Sequence, residues 1–253
     1  MTVPPKKPEQ TGAIPKHLPD KLTALYTGEE FLRAKAVELI MLDHQLSDDV
    51  ELIHRTMDLI QHFVIEHVAD DPEQETIQLL GIRLFNGLAS SFRLLTSGYF
   101  QNAALILRDL LETSFLLSYL HLHPEKISTF RTGDEKINRK IFNPSDIRKA
   151  LDKHDGFKER KRDAAYKLLC ELAAHPTYKG FQMLAPKGKG AHCGPFIDQP
   201  TLKALIEEQV KIAVQVGQAF AVFFPATKLE AIEKKLLFMT RAANWLKRYA
   251  DLP

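Results

Sequence analysis

The segment Gly98–His121, GYFQNAALILRDLLETSFLLSYLH, decides the fold class of this chain. Ala103, Ala104, Leu107, Leu110, Leu111 and Leu117 recur at helical spacing, and Leu105, Ile106, Phe115, Leu116 and Leu120 fill most of the remaining faces. A helix apolar nearly all round is one that neighbours cover on several sides. Gln101, Asn102, Arg108, Asp109 and Glu112 interrupt it too often for a membrane span. Arg108 and Glu112 stand four residues apart, on one face. If that face is buried, each charge needs a partner, because an unpaired buried charge is costly. The pair is then either a structural ion pair or the polar floor of a pocket.

Upstream, Glu73–Thr96 reads as a helix with Ile77, Leu80, Leu84, Leu88 and Leu95 inward. Gly81, Gly87, Ala89 and Ser90 give it a strip where another helix can come close. Ser97-Gly98 is a short join, so this helix and the next should pack antiparallel. Before it, Ser47 followed by Asp48, Asp49 and Glu51 signals a helix start, with the helix running to about Val68. Thr27 can cap an earlier helix that begins near Glu29. The first twenty residues hold five prolines and no apolar core, so 1–26 reads as a flexible arm that is neither signal peptide nor anchor.

Downstream, Pro124 ends the central helix, and short helices are expected over Lys126–Arg131 and Ser145–Lys153. A helix from about Lys158 to Ala174 starts on a very basic stretch and stops at His175-Pro176. Tyr178–Pro200 carries seven glycines or prolines and reads as a long ordered loop. Leu202–Phe224 and Lys228–Tyr249 are closing helices, the last with Leu229, Ile232, Leu236, Met239, Ala243 and Leu246 on one stripe. The expectation is an all-α, antiparallel bundle of six or seven helices over residues 27–253.

A formal net charge of +2 makes no general case for nucleic acid, so any such case rests on local patches. Two cysteines, Cys170 and Cys193, form no disulfide framework, and a reducing cytoplasm is the default. Cys170, His175, His192 and Cys193 are zinc-type ligands, but their spacing suits one tetrahedral ion poorly, so neither metal nor cofactor is expected.

Arg108-x-x-x-Glu112, Tyr166-x-x-Leu169 and His175-Pro176-Thr177, followed by two closing helices, resemble an uncharacterised bacterial all-helical group related to the HEPN (higher eukaryotes and prokaryotes nucleotide-binding) superfamily. The resemblance spans roughly 77–224 and rests on short motifs. It implies an antiparallel helical bundle, often a homodimer. It also implies RNA cleavage or nucleotide handling, with a cognate antitoxin or other partner protein, in stress or phage defence. Active members carry an arginine, four to six residues, then a histidine. Arg55/His62 and Arg148/His154 have that spacing, but such pairs arise by chance in a chain with ten histidines.

The candidate site residues are Arg108, Glu112, Tyr166 and His175, with Arg148 and His154 as the spaced pair. Arg108 would hold an anion, Glu112 would orient it, and Tyr166 and His175 would donate protons or hydrogen bonds. A metal-independent ribonuclease would use His175 or His154 with an arginine. Lys158, Arg160, Lys161, Arg162 and the loop Ala185–His192 could clamp RNA phosphates. The second reading is a non-catalytic sensor or interaction module with an Arg/Glu pocket.

Overall fold

The computed structural model describes residues 18–250, and every regular element among them is helical. The long helices are α1 (Asp20–Leu42), α2 (His44–Ile65), α3 (Pro72–Thr96) and α4 (Phe100–Leu122). Three short helices follow: α5 (Lys126–Thr132), α6 (Glu135–Ile141) and α7 (Pro144–His154). Then come α8 (Lys161–Leu169), α9 (Gln199–Ala221) and α10 (Leu229–Ala250). α5 and α7 fall on the two short helices expected, α6 is one that was not, and the helices among the described residues outnumber the six or seven expected. None among the described residues is long and apolar enough to cross a membrane.

Several helix starts differ from the expected ones for local reasons. α1 begins at Asp20, so 20–26 belong to a helix, while 1–17 lie outside the described residues. Thr27 is no cap: its hydroxyl donates to the Thr23 carbonyl one turn back, at 2.9 Å. α2 is capped by Asp43, which accepts from the Gln45 and Leu46 amides, while Ser47 donates to Ile40 O and ties α2 to α1. α2 ends at Ile65, leaving Val68 exposed rather than in the core.

The core forms where α4 and α9 pack against each other, with α2 and α3 around them. Ala103, Ala104, Leu107 and Leu110 of α4 are fully buried, as are Leu202, Ile206, Val210 and Phe220 of α9. α10 lies chiefly against α2 and buries Ala231, Phe238, Ala242 and Trp245. The stripe expected to face inward on α10 is instead exposed from Leu229 to Leu246.

Two links hold distant segments. Gly98, at φ 88°, turns α3 into α4 and presses against the Phe196 backbone, whose amide donates to Gly98 O at 3.3 Å. A Cβ at Gly98 would lie 2.5 Å from Phe196 O. Gly98→Ala should therefore cost at least about 1 kcal/mol in chemical denaturation, since both the left-handed backbone and the close approach oppose it.

The second link is electrostatic. Arg248 of α10 donates to Asp49 at 2.7 Å and to Asp48 at 2.9 Å, and Lys234 donates to Asp58 at 2.9 Å. Asp49 is completely buried. Burial pushes its carboxyl up to about 6 from an ordinary 3.8, against the pull of Arg248. The folded state then holds this proton more tightly than the unfolded chain. Asp49 accordingly favours folding below about pH 4, and that advantage is lost as pH rises through about 6. The difference in unfolding free energy between wild type and Asp49→Asn should move in favour of wild type as pH falls from 7 to 4. A difference that is flat with pH would contradict the assignment.

Candidate functional site

α4 turns Arg108 and Glu112 toward α8, where Tyr166 meets them. Arg108 Nη2 donates to the Tyr166 hydroxyl and pairs with Glu112 at 3.0 Å, and Tyr166 donates to Glu112 at 3.2 Å. The three groups close a triangle of hydrogen bonds, with the Cys170 thiol beside Arg108. Burial pulls the Arg108 guanidinium down, but Cys170, Tyr166 and Glu112 outweigh it, and the net shift is upward. Tyr166 is pushed up by burial first and by the Glu112 carboxylate second, against the pull of Arg108. The tyrosine thus stays a neutral donor while the arginine stays charged.

Arg148 of α7 packs on the tyrosine of this triangle, its guanidinium carbon 4.0 Å from the Tyr166 ring centre. The Arg108 guanidinium lies 4.7 Å from the same centre. Both contacts are of the cation–π kind. Arg148 donates to Asp163 Oδ1 at 3.2 Å, and its side chain is only 8% exposed. Its Nε and Nη1 have no hydrogen-bond partner among the described residues. A buried guanidinium with free donors leaves a cost that an incoming acceptor would remove. It borders a cleft of about 250 Å³, with Glu112, Thr113 and the Arg83–Asp109 ion pair as further polar walls and Phe115, Phe130 and Phe142 as an aromatic one.

The histidines lie elsewhere. His175 follows a π-helical turn, Cys170–Ala174, that extends α8. It is exposed, and its side chain has no hydrogen-bond partner among the described residues. Nothing among the described contacts links it to Arg108, Glu112 or Tyr166, so it is not a corner of that site. His154 does not join Arg148 either, because six positions along a helix carry the two side chains to different sides. It pairs instead with Asp155 at 2.9 Å, and Asp155 also accepts from Arg162. His154 and Arg162 border a separate cleft, also about 250 Å³, with Ser118, His121 and Gln218. The other spaced pair separates as well: Arg55 binds Glu51, and His62 packs edge-on against Phe63.

Arg162 alters the expected phosphate clamp. It is held by Asp152 at 2.7 Å and by Asp155, so it is not a free cation. Lys158 and Arg160 precede α8 and are exposed. The loop Ala185–His192 is fastened through its backbone, with the Lys187 amide donating to Asp198 at 3.1 Å and the His192 amide to Leu184 O at 2.8 Å. It walls a larger, mainly apolar cleft of about 610 Å³ beside Leu168, Leu172, Met183 and Leu205. Among the described residues, no group of three or more His, Cys, Asp or Glu is arranged to hold a metal ion. Cys170 is buried and Cys193 exposed.

Reasoning from the sequence missed Asp163 and the Asp152–Arg162–Asp155 chain. Asp163 had a signal, since it lies one helical turn before Tyr166 and four residues before Lys167, with which it pairs at 2.8 Å. No protein-family model, curated protein or solved structure matches this chain.

Tyr166→Phe removes a donor and an acceptor while keeping the ring under both arginines. It should cost about 1–2 kcal/mol of stability, read as a lower Tm with an unchanged helical circular dichroism spectrum. No change in Tm would mean that the triangle carries no weight in the fold.

Proposed function

We propose that this chain is a non-catalytic, HEPN-like helical module, an antiparallel bundle that binds a nucleotide or the phosphate end of an RNA at the Arg148 cleft. The observation that carries this reading is the buried Arg148 guanidinium with two unpartnered donors beside an aromatic wall. A phosphate oxygen satisfies the donors, and Phe130 or Phe142 offers a face to a base. Arg108, Tyr166 and Glu112 then hold Arg148 in place from behind. The module works with a partner protein, such as a cognate antitoxin, in the cytoplasmic stress or phage-defence setting that the sequence resemblance implies.

Binding is measured by equilibrium dialysis with a nucleoside monophosphate and, separately, with inorganic phosphate. Wild type should bind the nucleotide more tightly than phosphate, and Arg148→Ala should weaken nucleotide binding tenfold or more, as loss of a charge-assisted hydrogen bond does. Equal binding by wild type and Arg148→Ala would remove this site.

A metal-independent ribonuclease is the second reading. One observation favours it: His154 Nδ1 meets Asp155, which leaves Nε2 without a partner among the described residues, and Arg162 stands beside the pair. A carboxylate that orients an imidazole near a cation suits general acid–base work on an RNA 2′-hydroxyl. RNA cleavage in the presence of a chelator that His154→Ala abolishes and His175→Ala leaves intact would establish it. No cleavage by wild type would leave the binding module.

A further inference from the structure

α10 carries two apolar stripes. One faces the core through Ala231, Phe238, Ala242 and Trp245. The other, Leu229, Ile232, Leu236, Met239, Ala243 and Leu246, is exposed along its whole length. Single exposed leucines are ordinary on any protein surface, but a continuous stripe along one helix marks a contact. Val222, at the end of α9, extends the same surface, and Met239, Ala243 and Leu246 line a cleft of about 390 Å³ with it.

The spacing of the stripe says what covers it. Its members alternate three and four residues apart without a break, which is the period of helices that supercoil around one another. The inward stripe fits α2 and α9, and the outward one asks for another helix of the same period. The sequence of 1–17, with Pro4, Pro5, Pro8 and Pro15, repeats no such apolar period.

Charge selects among partners. Glu233 and Lys247 flank the stripe on one side, both exposed and both without an ion-pair partner among the described residues. They stand two heptads apart. If two copies of α10 lie antiparallel about a two-fold axis near Thr240, each Glu233 faces the second copy's Lys247. The same register sets Leu236 over Leu246 and Met239 over Ala243. A two-fold contact of this kind is self-complementary, with both partner charges supplied by one sequence.

We propose that the exposed stripe of α10 is the surface on which a second copy of this chain docks, α10 against α10, antiparallel. The test is sedimentation velocity on the full chain over a micromolar to sub-millimolar series. Wild type should be a dimer. Leu236→Glu should be a monomer with unchanged helical circular dichroism, because the substituted side chain leaves the core untouched. Glu233→Lys and Lys247→Glu should each raise the dissociation constant several-fold, and the double variant should restore it. A monomeric wild type, or a dimer indifferent to Leu236→Glu, would overturn the proposal. So would charge variants that fail to compensate, since the compensation is specific to this pairing.

Discussion

A helix as apolar as α4 is stable only if water is kept from nearly all of its surface, and the other helices are arranged to do so. α3 and α9 cover its two broad sides, α7 and α8 lean on a third, and the π-helical turn after α8 crosses its beginning. Gln101, in the first turn of α4, donates to the carbonyls of Leu172 and Gly180 at 3.2 and 2.9 Å, satisfying backbone groups that the irregular turn leaves open. The charged positions of α4 are each partnered: Asp109 by Arg83 of α3, and Arg108 and Glu112 by each other and by Tyr166 of α8. Arg108 and Glu112 are therefore consequences of the packing as much as contributors to it.

The same constraint shapes the candidate site. A guanidinium brought into such a place needs acceptors for each donor, and Arg108 finds Tyr166 and Glu112 for Nη2 but no hydrogen-bond partner among the described residues for Nε. Arg148 is more deeply buried and less well satisfied. Two like charges against one phenol ring are tolerable because Glu112 pairs with Arg108 and Asp163 with Arg148. The arrangement is two cations on one ring, Arg108 also bonded to its hydroxyl, with Glu112 and Arg148 bordering a cleft.

The sequence made much of this legible, and the failures are instructive. The helical class, α3, α4, α9 and the association of Arg108, Glu112 and Tyr166 could all be read, because hydrophobic period and the need to pair buried charge act locally or along one face. His175 misled, because its position after a helix end said nothing about which way its side chain faces, and it is exposed. Arg148 was marked for its distance from His154, yet it matters for Tyr166, a partner that only the packing of α7 on α8 supplies. α10 shows a subtler limit: both of its stripes have helical spacing, and periodicity alone cannot tell the face turned to the core from the face turned outward.

The contacts between α2 and α10 carry a consequence for the making of the chain. Arg248 and Asp48 lie 200 positions apart. At ordinary rates of translation, about 5–20 residues per second, α2 leaves the ribosome some ten to forty seconds before its counter-ions exist. For that interval Asp48, Asp49 and Asp58 stand together on one helix without Arg248 or Lys234, and Phe63 lacks Phe224, which stacks on it. The nascent protein therefore carries an acidic, partly apolar helix face whose carboxylates gain Arg248 and Lys234 only when the last described helix has been synthesised.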